Sequence, residues 1–314
     1  MTNTQLPEAG VVGDDDQPRR GNAEAIVTKE RSQLQLVLGR FLRHRLAIGG
    51  LIVLLLLVAF AFLGPFIWEW DHRVHREIPS SRPPSLEHPF GTTSAGQDVM
   101  GMLMRGAQQS LKVAMTVGVI VAVLAGLWGA IAGLFRGWVD ALMMRFVDVI
   151  LVIPALALVA AVAGNVRGGT TWLPIALILG FFGWPLFSRV VRGVVLSLRE
   201  QEFIEAARAV GASDARIVLR HLLPNLTAPI IVSATIAMAT AVLAEAGLSF
   251  LGLGIQAPDT SLGQQVSNAL TAMSTRPWLF YPPGILVLII GLTLNFIGDG
   301  LRDALDPRQT MVRR

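Results

Sequence analysis

Residues Glu205–Asn225 read EAARAVGASDARIVLRHLLPN, a polar, basic stretch set between two long apolar segments. Phe203, Ala206, Ala207 and Val210 fall at i, i+3, i+4 and i+7, with Glu202, Glu205 and Arg208 on the opposite face, so the spacing predicts a short amphipathic helix. Gly211 can adopt the left-handed conformation that ends a helix without a Cβ penalty, and Ser213 with Asp214 makes a good start for another. Ile217, Val218, His221 and Leu222 give the second helix its own face, and Pro224 is expected to stop it before the next apolar run. The stretch is expected to be a helix–glycine turn–helix joined at both ends to apolar helices. Such an element can transmit force from a soluble partner.

The flanking segments set the class of the molecule. Of 314 residues, 53% are hydrophobic and only 15% charged, against about 25% charged in soluble domains. Leu46–Ile67 is a run of 22 residues without a charge, and a helix rising about 1.5 Å per residue crosses a bilayer core in about 20. Five more runs follow, near Leu111–Phe135, Phe146–Gly164, Trp172–Phe187 with a continuation towards Leu196, Leu226–Gly247 and Pro283–Gly298. An all-α integral membrane protein with six transmembrane helices is expected. An even number places both termini on one side. That side, with the Glu205 stretch, carries 19 of the 26 basic residues, so both termini are expected in the cytoplasm and the chain as a multi-pass protein of the cytoplasmic (inner) membrane. The net charge of +4 is explained by this asymmetry and does not call for nucleic acid.

The organisation expected is a disordered cytoplasmic tail over 1–33, an amphipathic stretch and first span over 34–67, and an extracytoplasmic loop over 68–110. A core of five spans over 111–300 contains the cytoplasmic loop 199–224, and a cytoplasmic tail covers 301–314. Trp68, Trp70, Trp138, Trp172 and Trp278 sit at or beyond the span ends, where an indole keeps its N–H wet, while Trp128 and Trp184 are expected to pack between helices. The small residues of GVIVAVLAGLWGAIAG, Gly118–Gly133, allow close helix contact with no lipid between, so membrane lipid covers only the outer faces of the bundle.

The pattern Glu205-Ala206-Ala207, three residues, Gly211, nine residues, His221-Leu222-Leu223-Pro224 resembles the EAA loop of ABC importer permeases, the element that docks on the ATPase subunit. His221 stands where many importers have isoleucine, a departure usual in the peptide and nickel branch. EHPFGTTSAGQDVMGMLMRGAQQSL (Glu87–Leu111), AEAGLSFLGLGIQAP (Ala244–Pro258) and NFIGDGLRDALDPR (Asn295–Arg308) resemble segments of the dipeptide and oligopeptide permeases of the C-subunit type. Thr93 and Gln97 depart from that group, which usually has Asp and Arg there. The likeness covers about Leu34 to Arg308. It implies a type I ABC importer permease fold and an ATP-driven importer of di- or oligopeptides. The partners implied are a second homologous permease, two ABC ATPase subunits or one two-headed dimer, and an extracytoplasmic solute-binding protein. Docking would involve Glu205, Ala206, Ala207, Gly211, His221, Leu223 and Pro224. Nickel, haem and glutathione importers of the same family share these stretches.

The two lysines, Lys29 and Lys112, do not follow glycine, so no Gly-x4-Gly-Lys phosphate loop exists in the chain. It is expected to be a transporter subunit and not an enzyme, with no catalytic residues and no bound cofactor, ATP and Mg being held by the partner ATPases. Cysteine is absent, which removes disulfides, thiolate metal sites and cysteine nucleophiles. Asp148 and Glu245 lie within spans and are candidates for a pathway or a structural charge. Asp148 is expected to pair with Arg145, and Asp299 with Arg302, each three residues away. Glu245 has no such neighbour. An autonomous secondary transporter would use Asp148 and Glu245 for ion coupling. His72, His75 and His88 are expected to be solvated, with no metal site, and Pro154, Pro174 and Pro185 to interrupt spans three and four.

Overall fold

A computed structural model describes residues 33–75, 77–165 and 171–305. The tail expected over 1–33 falls outside these except for Gln33, and the tail over 301–314 falls outside them beyond Leu305. The described residues form helices and no strand. In chain order these are α1 (Gln33–Phe41), α2 (Arg45–Phe62), α3 (Gly64–Ile67), α4 (Val99–Phe135), α5 (Gly137–Val152) and α6 (Ala155–Asn165). There follow α7 (Trp172–Leu198), α8 (Glu202–Ala209), α9 (Asp214–Arg216), α10 (Leu223–Phe250), α11 (Leu262–Ala269) and α12 (Pro277–Leu305).

Five stretches are long and apolar enough to cross a membrane: α2, α4, α7, α12 and the continuous helical run Asp214–Phe250. The expected crossing Phe146–Gly164 is divided. Ile153 is extended at ψ 122° because the ring of Pro154 crowds an α-conformation at the residue before it, so α5 ends at 16 residues and α6 has 11. Neither alone spans a bilayer core. Pro174 does not interrupt α7, because it sits in the first turn, where its missing N–H would have had no partner anyway. Pro185 does lie inside that helix, where its carbonyl accepts from Ser188 Oγ at 2.7 Å.

α4 is the axis of the bundle and starts twelve residues before the hydropathy boundary at Leu111. Asp98 caps it, accepting from the Gly101 N–H at 2.8 Å, and the polar residues Arg105, Gln108, Gln109 and Ser110 then ride on a buried helix. One half of α4 packs with α2, α10, α11 and α12 around Leu103, Leu111, Val242 and Ile290; the other packs with α5, α7 and α10 around Val121, Val147 and Trp184. Gly129 and Gly133 let α7 approach closely, since a Cβ at either would come within 2.7 Å of Val191 or Val195 Cβ. The Trp128 and Trp184 rings meet at 5.2 Å between the helices, as expected. Asp140 of α5 takes a two-pronged contact from Arg192 of α7, at 2.6 and 2.5 Å.

Candidate functional site

At the C-terminal end of α4, the stretch 199–224 forms a wedge whose two short helices are pinned from beneath. Arg199 Nη1 donates to the carbonyls of Gly133 and Leu134, at 3.2 and 2.6 Å, and so satisfies groups that the end of α4 leaves unpaired. Ile204 is fully buried with Ala130, Leu134, Val195, Ile217 and Leu222. The turn between the helices follows Schellman geometry: the Ala212 N–H donates to Ala207 O at 3.0 Å and the Gly211 N–H to Arg208 O at 2.9 Å. Gly211 takes φ +82° with nothing within 4 Å of a Cβ, so backbone conformation and not space requires the glycine. Ser213 Oγ then accepts from the Arg216 N–H, starting the second helix at the expected residue.

Two expectations fail here. Of the expected face Phe203, Ala206, Ala207 and Val210, only Ala207 is buried, and its companion on the buried side is Ile204. Phe203 is 41% and Val210 86% exposed, and Ala206, Glu202, Glu205 and Arg208 share that open surface. The expected face lies about a quarter of a turn from the buried one because it omits Ile204, the strongest anchor. Pro224 does not stop the second helix either. The backbone widens into a π-turn over Ile217–Leu222, where hydrogen bonding shifts from i−4 to i−5, and Pro224 falls in the first turn of α10 that follows. Asp214–Phe250 is thus one unbroken helical run. Ile217, Val218 and Leu222 are buried as expected, whereas His221 is half-buried and Leu223 partly buried against the same cluster.

The opposite end of α4, about 48 Å away over 32 residues from Leu134 to Met102, carries a different construction. Asp98 gathers three donors, the Gly101 N–H, Trp68 Nε1–H at 2.9 Å and His88 Nδ1 at 2.9 Å. His88 is therefore buried, contrary to its expected solvation, while His75 faces Asp71 at 2.8 Å. Among the described residues no cluster of His, Asp and Glu is arranged to hold a metal. Thr93 and Gln97, the two residues that depart from the resembled group, contact one another: the Gln97 N–H donates to Thr93 Oγ1 at 3.1 Å, and Gln97 Nε2 donates to His72 O at 3.0 Å.

Arg105 grips Asp259 with Nε and Nη2 at 2.8 and 3.0 Å, and Gln109 Nε2 donates to the same carboxylate. Burial alone would raise Asp259, but the hydrogen bonds from Arg105, the Thr260 N–H and Gln109 outweigh it and hold the carboxyl below its ordinary value. Burial, helped by the nearby positive charge of Arg105, pushes the His72 imidazole down. Glu245 is fully buried, with one oxygen accepting from Ser110 Oγ at 3.1 Å and the other from Ser249 Oγ at 2.7 Å. It binds α4 to the end of α10.

The remaining carboxylates have structural company. Asp148 meets Arg189 of α7 more closely than its expected partner Arg145, which stands 3.8 Å away. No ion pair joins Asp299 to Arg302 among the described residues; the exposed acid that finds a partner there is Asp303, 3.4 Å from His44. Arg199, Ile204, Arg105, Asp259, Gln109 and the Asp140–Arg192 pair were not singled out from sequence. Their partners lie 52 to 154 residues away in most cases, and no local spacing announces such contacts.

Residues 122–311 match the family described as "binding-protein-dependent transport system inner membrane component", and residues 32–84 match "N-terminal TM domain of oligopeptide transport permease C". The oligopeptide transport system permease protein OppC of Mycobacterium tuberculosis is 42% identical over 289 residues, covering 92% of this chain and 99% of its own. That of Bacillus subtilis is 35% identical over 289 residues, covering 92% and 94%. The dipeptide transport system permease protein DppC of Alkalihalophilus pseudofirmus is 37% identical over 266 residues, covering 85% and 87%.

Proposed function

From the premise that the chain belongs to the family of binding-protein-dependent transport system inner membrane components, we propose that it is one permease subunit of an ATP-driven importer of short peptides. Its partners are a homologous second permease, a pair of ABC ATPase subunits that bind ATP and Mg, and an extracytoplasmic solute-binding protein. Both termini and the 199–224 wedge lie in the cytoplasm, and α5 with α6 makes the sixth crossing as a broken pair. The excess of basic residues on that side supports this orientation.

The observation that carries the reading is the open face of α8. Phe203, Ala206 and Val210 project from a helix whose other side is locked to α4 by Ile204 and Arg199. An apolar face on a helix anchored along its other side suits a groove on another protein. Closure of the ATPase pair on nucleotide would move this wedge, and with it the unbroken Asp214–Phe250 helix, so nucleotide selects between inward-open and outward-open arrangements. The two need differ by only a few kcal/mol for ligand to shift their populations.

The test is purification of the full chain in mild detergent with identification of its companions. Recovery of a second permease and one or two ATPases is expected, and the ATPases, but not the second permease, should be lost from a Val210→Glu variant that still reaches the membrane. Recovery of a lone chain that transports when reconstituted would overturn the reading.

A further inference from the structure

Between the segment that follows α10 and the flank of α11 lies an open groove of about 780 Å3, walled by Gly252, Gln256, Gln264, Ser267 and Asn268 with Ser249 at its base. It stands at the Asp98 end of the bundle, far from the wedge. No ionisable side chain lines it. The nearest in sequence, Asp259, is already engaged by Arg105 and Gln109. Beside the apolar Ile255, Ala257 and Pro258, what the walls offer is carboxamides. Gln264 uses its backbone N–H on Ser261 Oγ, and its side chain, like that of Asn268, makes no hydrogen bond among the described residues. Gln256 Nε2 donates to Gly252 O at 2.8 Å and Ser267 Oγ to Phe250 O at 2.9 Å, which leaves an acceptor oxygen free on each.

A carboxamide carries the same donor and acceptor as a peptide unit. Gln264 and Asn268 are one helical turn apart, about 6 Å along α11. The hydrogen-bonding groups on one edge of an extended chain recur every second residue, about 6.7 Å. We propose that this groove is a main-chain subsite for an extended peptide, with Gln264 and Asn268 meeting alternate residues on one edge and an uncharged wall that does not select among side chains. This rests on the reading of the chain as a peptide importer, and adds where its substrate is met and why the site tolerates varied sequences.

The test uses the whole complex with its binding protein in proteoliposomes, supplied with trialanine, Ala-Lys-Ala, Ala-Glu-Ala and a trialanine analogue with one amide replaced by an ester. Loss of two uncharged hydrogen bonds predicts that the Gln264→Ala/Asn268→Ala variant takes up all three peptides about tenfold more slowly. The wild-type preference for trialanine over its ester should narrow in parallel, while ATP hydrolysis stimulated by the binding protein continues. Gln264→Glu should create what the wild type lacks, a preference for Ala-Lys-Ala over Ala-Glu-Ala. Unchanged uptake in the double variant, or a loss confined to one peptide, overturns the subsite. A parallel fall in ATP hydrolysis also overturns it and makes the groove an assembly surface. Uptake of none of the peptides by the wild-type complex removes the importer reading itself, and the subsite with it.

Discussion

The two ends of α4 are held by opposite means. Around Asp98 and Arg105 the helix is fastened by buried charge and hydrogen bonds to segments remote in sequence: Asp98 to Trp68 and His88, Arg105 and Gln109 to Asp259, Ser110 to Glu245. Around Leu134 the fastening is mainly apolar, with Arg199 as the polar clasp on the last carbonyls of α4, and the far side of α8 faces outward. A polar network of this kind fails as a unit, since removing one member leaves the others buried and unpaired. An apolar anchor under a short helix allows that helix to loosen locally while the bundle persists. The comparison teaches that one end is fixed by contacts that stand or fall together, while the other leaves a helix face open that, under the proposed function, would hand on a displacement.

Substitutions can break this contrast. The largest effect is expected from Glu245→Ala, which leaves Ser110 and Ser249 without their acceptor and opens a void, at about 3 kcal/mol of stability. Thermal unfolding of the purified chain in detergent should show a global loss, with Glu245→Gln recovering most of it. Ile204→Ala should cost about 2 kcal/mol, but locally. Hydrogen exchange should quicken across 199–224 and stay slow in α4 and α12; a uniform increase would erase the distinction between the ends.

A pH series sharpens the same contrast. Asp259 is held below its ordinary value near 3.9. A carboxyl depressed in the folded state contributes stability above its unfolded value and loses it as pH falls through the folded one. The contribution of Asp259 should therefore be flat from about pH 7 to 5 and decline below about pH 4, and Asp259→Asn should flatten that acid decline, whereas the lowered imidazole of His72 separately costs stability as pH falls through its ordinary value near 6.5. The smallest effect on stability, within about 0.5 kcal/mol, is expected for Val210→Glu. Its effect on recovery of the ATPase subunits should be the greatest of the series.

Much of this was legible in the sequence wherever the signal is local. Gly211, Ser213 and the apolar runs act through neighbours a few residues away, and the turn, the second helix start and five long apolar helices stand where they were expected. The failures share a physical cause. The start of α4 was missed because hydropathy reads lipid-facing apolarity, while Arg105, Gln109 and Ser110 are helical yet satisfied by distant protein groups. The expected face of α8 differs from the buried one because Phe203 and Val210 are apolar yet exposed, and periodicity alone does not separate an exposed apolar stripe from one in the core. Pro224 does not act as a stop because the π-turn before it places its missing N–H in the first turn of α10. Glu245 has no charged neighbour in sequence because its partners are hydroxyls, Ser110 of α4 and Ser249 one turn further on, which a search for ion pairs does not find.

The unbroken helical run from Asp214 to Phe250 also has a mechanical meaning. At about 1.5 Å per residue its 37 residues make a rod about 55 Å long. Were it to pivot about its lower end by about 5°, its upper tip would sweep about 5 Å, a little under one helical pitch of 5.4 Å. That tip carries Glu245 and Ser249 and leads directly into the groove before α11. A swing this small is longer than any hydrogen bond holding the upper end together, so under the proposed function the run would act as a lever, despite Pro229 within it, whose long arm ends where the contacts are most exacting.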